Sequence, residues 1–332
     1  MGNYRSGNKY RVAIGLETSL GSGNTHSTGG TTPTLSIRWD DLTVMPVKLE
    51  LNPDRQLIDT NYKTGTSQAT AYEQVQGVTD GTFTLSGKLS LGYEILLKAM
   101  FHQTPVPPDH TYTFDDTPPT AKSLVMMKVW DDAPGDSKKY KVDIAKGCAV
   151  DSLVITGRSK EAIEFTMSGR ITDHEREVEQ VIAGTDPGLT FPDVVQFGDI
   201  VYNGELGEKT RLNEFSLTLT NIYIDDTKRY TNSMSRLRDI ILRQEGELNV
   251  KGLFKQETTE LNPMDDIGID KQLWEYIQIV SGTSDWVIEF YALVTAFDSA
   301  DPERDLFESN VTMKAIVNDN VQNSVEISIQ TS

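Results

Sequence analysis

The 332-residue chain holds a single cysteine, Cys148, so no disulfide can form within it and a cysteine-based metal site has no ligand set. Cys148 lies in the apolar run Gly147-Cys148-Ala149-Val150, which reads as a buried thiol entering a strand. Histidine is nearly as scarce. His26, His102, His110 and His174 are scattered over a Ser/Gly/Thr-rich stretch, a helix end, a Pro-rich connection and a charged segment, and no spacing brings them together as metal ligands. No apolar run approaches the roughly 18 residues that a membrane helix needs, so no membrane partner is expected. Met1 to Lys9 is polar and basic without an apolar core, which is not a signal peptide, and the protein is expected to be made and folded in a cytoplasm.

Positive charge is also short, with 31 basic against 49 acidic side chains and a formal net charge of −18. That balance argues against a clamp that holds nucleic acid by its phosphates. It is compatible with a surface that nucleic acid passes without sticking. The Gly-x-x-x-x-Gly-Lys-Ser/Thr loop, the Gly-x-Ser-x-Gly elbow and His-Glu-x-x-His are missing. Five Asp-Asp pairs occur, at 40–41, 115–116, 131–132, 225–226 and 265–266. Sequence neighbours on a strand point to opposite faces, and all five pairs sit at expected turns, where Asp bonds its own backbone. The Asp-x-Asp-x-Asp-Gly spacing of a calcium loop is absent. Neither an enzyme nor a cofactor or metal site is expected.

What is present is alternation. Gly81-Thr82-Phe83-Thr84-Leu85-Ser86-Gly87 and Gly246-Glu247-Leu248-Asn249-Val250-Lys251-Gly252 share one glycine-bounded pattern, close to half a chain length apart. Ile163–Met167 and Val325–Ile329 form a second such pair. Two spaced pairs at nearly one offset point to a duplicated β domain.

In chain order, Tyr10–Thr18 reads as an extended opening, and 19–34 is a Ser/Gly/Thr/Pro stretch. Leu35–Asp40 and Val44–Leu51 read as strands, closed by the turn Asn52-Pro53-Asp54. Arg55–Gln76 is a long polar loop, a length that is usually functional or interfacial. The first anchor strand is followed by a helix over Leu91–Gln103, with Leu91, Ile95, Leu96, Ala99 and Met100 as its stripe. Ser123–Trp130, Tyr140–Ile144, Cys148–Thr156 and Glu161–Arg170 then read as strands, the last two joined as a hairpin.

Asp173–Ala183 reads as a charged helix, and Phe197–Tyr202 as an added strand between the halves. In the second half Glu214–Ile224 is a strand whose apolar phase slips at Ile222, a sign of a bulge. Asp225–Asp239 is a polar loop, Gln244–Phe254 the second anchor strand, and Ile269–Val280 a second helix with Leu273, Trp274, Ile277 and Val280 inward. Asp285–Ala296 is a long strand, and Val311–Val317 and Ser324–Ser328 a closing hairpin. The expected fold is mainly β (α+β): two tandem β-sandwich or half-barrel domains, each with one flanking helix. The expected boundaries are 1–171, a bridging segment 172–210, and 211–332.

Lys228, Arg229, Arg236, Arg238 and Arg243 make one basic stretch in an acidic chain. It reads either as a solvated loop or as a surface that meets an acidic patch on another copy.

Gly15-Leu16-Glu17-Thr18-Ser19-Leu20-Gly21 resembles the Gly-x-Glu-x-x-x-Gly opening of tail tube proteins of long-tailed phages, or major tail proteins. Gly77–Leu97 resembles that family's middle section, where a glycine-bounded strand runs into the amphipathic helix, and Asp151–Gly169 its strand–turn–strand ending. The chain is about twice the length of one tube domain. The resemblance implies a structural virion protein of the tail, whose domains join their sheets into one inner barrel. The rings then stack into a tube through which DNA is ejected. A duplicated chain fits a homotrimeric ring of pseudo-sixfold symmetry; a ring of six chains, with the second half decorating the outside, stays open. The implied partners are further copies of the chain, tape measure protein and DNA in the lumen, and the tail terminator and tail tip proteins.

The loop that reaches the neighbouring ring would be Arg55–Gln76, with Arg55, Asp59, Tyr62, Lys63 and Tyr72, and in the second half Asp225–Asp239, with Lys228, Arg229, Arg236 and Arg238. Glu164 and Glu326 are candidate lumen-facing acids, and outer-face carboxylates are the equal alternative. An acidic lumen would repel phosphates over about 8 Å at physiological salt. Another β-rich tail, baseplate or receptor-binding assembly protein is the alternative reading. A glycan hydrolase would need two carboxylates about 5–10 Å apart in a cleft, and nothing in the sequence prepares one.

Overall fold

The computed structural model describes residues 10–27, 35–53, 55–59, 74–79, 81–105, 110–114, 119–130, 139–189, 193–204, 210–224, 241–255, 273–281, 284–299, 306–315 and 324–331. The first strands are β1 (Tyr10–Leu16), β2 (His26–Ser27), β3 (Leu35–Arg38), β4 (Thr43–Met45) and β5 (Lys48–Asn52). Next come β6 (Arg55–Asp59), β7 (Gln74–Thr79) and β8 (Gly81–Lys88), then helix α1 (Glu94–Phe101). After it run β9 (Thr111–Thr113), β10 (Leu124–Trp130), β11 (Lys139–Arg158), β12 (Glu164–Ile171) and β13 (Asp173–Ala183). The later strands are β14 (Ile200–Gly204), β15 (Thr210–Tyr223), β16 (Ile241–Lys255), β17 (Leu273–Ser281), β18 (Ser284–Ser299), β19 (Leu306–Ala315) and β20 (Val325–Thr331). The protein is mainly β.

One open sheet organises the molecule. Its hydrogen-bonded order is β5-β8-β12-β11-β15-β16-β19-β18, antiparallel throughout. The two long strands β11 and β18 each serve two neighbourhoods. The first part of β11 pairs with β10 on one side and β13 on the other, and its second part pairs with β12 and β15. The first part of β18 pairs with β17 and β20, and its second part with β19. β1 lies against β10, as β14 lies against β17.

Even the irregularities coincide. The β11–β12 register slips at Asp151, between Val150 opposite Gly169 and Ser152 opposite Ser168. The β18–β19 register slips at Thr295, between Val294 opposite Met313 and Ala296 opposite Thr312. A bulge bends and twists its strand, so the same bulge at the same point gives both long strands the same bend.

Gly147 lets β11 pass continuously through the place where the sequence reads a break. Its φ of +60° suits glycine, and a Cβ there would meet Thr172 at 2.6 Å. The core is shared by both halves: Phe83, Leu85, Phe165 and Met167 belong to one cluster with Phe215, Leu248, Trp286 and Ile288. Helix α1 buries Ile95, Leu96, Leu97, Ala99, Met100 and Phe101 in it. The Trp286 indole donates to the Leu91 carbonyl at 3.2 Å, joining β18 to the turn that precedes the helix.

Several expected elements differ. Asp173–Ala183 is strand β13, not a helix. Leu273–Ser281 is strand β17, with Glu275, Ile277 and Ile279 buried at every second position, so the second helix over Ile269–Val280 is overturned there; 269–272 lie outside the described residues. β19 and β20 do not form a hairpin with each other; both lie along β18. The ends of the expected Arg55–Gln76 loop are strands, because β6 and β7 pair with each other as a separate two-stranded ribbon. β13 and β14 fall within 172–210, and β14 begins three residues after Phe197. The slip expected at Ile222 is present, between Ile222 and Tyr223. Cys148 is fully buried.

Candidate assembly surface

Strict alternation gives the long sheet one buried and one open face. On β8 Phe83 and Leu85 point in, while Thr82, Thr84, Ser86 and Lys88 point out. On β15 Phe215, Leu217 and Leu219 are buried, and Ser216, Thr218 and Thr220 lie on the other side. β16 and β19 continue this with Leu248, Val250, Val311 and Met313 inside and Asn249, Lys251, Asn310 and Thr312 outside. The open face is a carpet of hydroxyl and amide groups. Thr312 donates to Asn249 Oδ1 at 2.6 Å, and Asn249 Nδ2 donates to Glu247 at 2.9 Å.

Among the described residues, this face carries several opposite-sign pairs. Lys48 pairs with Glu50, Lys88 with Glu164, Arg158 with Glu214 at 2.9 Å, and Lys314 with Glu245 at 3.7 Å. Exposed pairs contribute about 0–1 kcal/mol to stability. Their larger effect is to keep the face near neutrality in a chain of net charge −18. The face is therefore less acidic than the overall composition leads one to expect.

Where the halves meet, β11 pairs with β15 from Ser152 opposite Thr220 to Arg158 opposite Glu214. A buried polar cluster sits beside this junction. His102 ends α1 in the left-handed region, with φ of 56°. Its Nδ1 accepts from the Lys122 backbone N–H at 3.0 Å, and Nε2 lies 3.2 Å from the Tyr223 hydroxyl. Tyr223 donates onward to the Val150 carbonyl, and Asn221 donates to the Met100 and Val150 carbonyls. Gln244 donates to Asn221 Oδ1 at 2.8 Å. Burial pushes the His102 imidazole down to about 4, so it is neutral at physiological pH. The cluster ties the helix of one half to β15 and β16 of the other.

The Gly15–Gly21 motif has a physical role in the structure. Its Glu17 carboxylate accepts from the backbone N–H groups of Gly21 at 2.8 Å, Gly23 at 2.8 Å and Gly147 at 3.0 Å, and from the Ser123 hydroxyl. Burial raises this carboxyl above its ordinary value, and the four donors pull against that rise. Glu17 thus fastens the 18–24 turn to the starts of β10 and the middle of β11. Nearby, the buried Arg11 guanidinium grips Asp186 with both terminal nitrogens and stacks 4.8 Å over Trp39. Burial works to raise the Asp186 carboxyl, but hydrogen bonds from Arg11 and the Gly188 N–H hold it below the ordinary value.

Of the residues singled out in the sequence, Glu164 lies exposed on β12, on the open face. Glu326 lies half-buried on β20, opposite Thr113 of β9 and Glu289 of β18. The two are not brought together, and their strands have different partners. By pairing, the strand that stands to β16 as β12 stands to β8 is β19, where Glu308 opposes Leu253 as Glu164 opposes Lys88. Arg55 and Asp59 lie at the two ends of β6, while Tyr62, Lys63, Tyr72, Lys228, Arg229, Arg236 and Arg238 lie outside the described residues. Arg243 is exposed on β16 and pairs with Glu245. Sequence reasoning missed the His102 cluster; its sequence signal was polar Asn221 and Gln244 in phase with the apolar, inward positions of alternating strands. Among the described residues no three His, Cys, Asp or Glu side chains converge as a metal site, and no helix is long and apolar enough to cross a membrane.

Comparison with known proteins gives no match among curated sequences. A family model described as phage tail tube protein matches residues 7–239, more than half of the chain and past the β11–β15 junction. With an antiparallel sheet, the buried helix α1 and a hydroxyl-rich face already in place, this match assigns the chain to the phage tail tube protein family.

Proposed function

We propose that the protein polymerises into rings that stack as the tail tube of a long-tailed phage, the conduit for DNA ejection, and that each ring holds three chains. The observation that carries this reading is the repeated pairing order. β5-β8-β12-β11, with β10 and β13 flanking β11, has the same neighbours as β15-β16-β19-β18, with β17 and β20 flanking β18. A duplicated unit explains this order and the shared bulge together. Three chains then present six similar units around an axis, and a symmetric ring is the usual closed solution for a self-associating chain.

The open face of the long sheet is the surface that suits the lumen. Duplex DNA carries one charge per roughly 1.7 Å. A wall of Thr, Ser and Asn on which Lys48, Lys88, Arg158 and Lys314 are each paired with a carboxylate is poorly suited to hold phosphates. On this reading Glu164 faces the lumen as half of an ion pair with Lys88 rather than as a free repelling charge. The ribbon β6–β7 and the segment 225–239 are the arms proposed to reach the adjacent ring, with Arg55 at the base of the first and Asp59 at the other end of β6, where the 60–73 connection begins. Tape measure protein would fill the lumen before ejection, and terminator and tip proteins would cap the ends.

The test is to remove residues 60–73 and join β6 to β7 by a short turn. The expected result is a folded protein, by circular dichroism, that forms rings but no tubes. Tubes of normal length from this deletion would remove the arm from ring stacking.

A further inference from the structure

Among the described residues the two ends of the long sheet are open. Among the described residues β5 pairs only with β8, and residues 293–299 of β18 pair only with β19. Unpaired strand edges invite pairing with another chain. The junction inside the chain shows which partner fits. There the second part of β11 receives β15, and by pairing order β18 corresponds to β11 and β5 to β15. One open edge is therefore the counterpart of β11 without its β15, and the other the counterpart of β15 without its β11. The bulge at Thr295 is no obstacle, because β11 carries the same bulge at Asp151 and still pairs with β15 from Ser152 onward.

We propose that this edge of β18 takes β5 of a second copy, antiparallel, with Asp298 opposite Asn52 and Ser299 opposite Leu51. The register follows from two anchors. Aligning the bulges places Asp298 and Ser299 on Val154 and Ile155. Leu51 opposes Phe83 two residues after Gly81, as Leu217 opposes Leu248 two residues after Gly246, so Leu51 falls on Leu217 and Asn52 on Thr218. Inside the chain, Val154 opposes Thr218 and Ile155 opposes Leu217. The contact is head-to-tail: each copy offers one edge of each kind. It rests on the ring reading above and adds to it which strands meet and in what register.

Engineered disulfides test this. Every second opposed pair in an antiparallel ladder has Cα atoms about 4.5 Å apart, the alternate pairs about 5.5 Å, and both lie within disulfide reach. Two full-length variants, Asn52→Cys with Asp298→Cys and Leu51→Cys with Ser299→Cys, cover both kinds of pair. The native Cys148 is buried and stays silent. After assembly and mild oxidation, non-reducing gels of at least one variant are expected to show dimer and trimer, with the ladder ending at trimer. The displaced pair Lys48→Cys with Asp298→Cys is expected to remain monomeric. Cross-linking by the displaced pair alone, or by neither in-register pair while electron microscopy shows tubes, overturns the proposed register and leaves the tube reading standing. Soluble monomer that forms no rings, in wild type and variants alike, overturns both.

Discussion

At the residue scale, buried polar groups hold what the apolar core cannot position. Glu17 meets four donors and no acceptor among its hydrogen-bonding partners, so the ionised carboxylate is the form its loop accommodates. Glu17→Gln would aim an amide donor at backbone N–H groups. The expected loss is about 2–3 kcal/mol, two charge-assisted hydrogen bonds set against relief of the desolvation cost. Urea unfolding at neutral pH measures it; a stabilised variant would show that burial of the charge outweighs the donors. His102 gives a pH signature. Its folded value of about 4 lies below the ordinary 6.5. Between those values the unfolded chain binds a proton that the folded chain does not, so this contribution is complete above pH 6.5 and is lost as pH falls toward 4. The size is roughly 3 kcal/mol. His102→Asn keeps a residue that tolerates positive φ, and its stability is expected to fall less than wild type between pH 7 and 4.5.

At the element scale, strands whose inward positions are apolar were legible in the sequence and the others were not. β8, and β15 up to its slip at Ile222, alternate and read as strands. β17 was read as a helix because its inward set, Glu275, Ile277 and Ile279, starts with a carboxylate, which hides the period of two. Leu273, Trp274, Ile277 and Val280 then mimic a helical stripe; the β-branched and aromatic content was the contrary signal. β13 escaped for another reason: it is exposed over much of its length, rich in helix-forming Glu, Arg and Gln, and broken by a bulge where Glu177 takes φ of 52° and its N–H bonds Asp143. Close approach yields a prediction here. A Cβ on Gly169 would lie 2.0 Å from the Ala149 carbonyl oxygen and 2.7 Å from the Phe83 ring. Gly169→Ala is expected to cost about 2–3 kcal/mol by overpacking, read as a lower melting temperature with an unchanged circular dichroism spectrum at low temperature.

At the scale of the whole molecule, the two glycine-bounded strands expected from sequence are β8 and β16, and the proposal of a duplicated unit rests on their pairing order more than on their glycines. β8 and β16 take equivalent places, each between the strand before it and a later return strand. The likeness of Ile163–Met167 to Val325–Ile329 reflected alternation alone, since β12 and β20 have different neighbours. That distinction depends on which strands lie side by side, information no single stretch contains. Nor could composition reveal that the open face balances its charges while the chain as a whole is strongly acidic. Membership of the tail tube family, a hydroxyl-rich face with paired charges and, among the described residues, two open sheet edges are what the proposed arrangement rests on: three chains in a closed ring, six similar units around a channel. Electron cryo-microscopy of the assembled full-length protein, with end-on views averaged without imposed symmetry, tests this most directly. The account predicts hollow tubes whose rings contain three chains and six similar wall segments; a ring of six chains with their second halves outside the wall, or protein that never assembles, would contradict it.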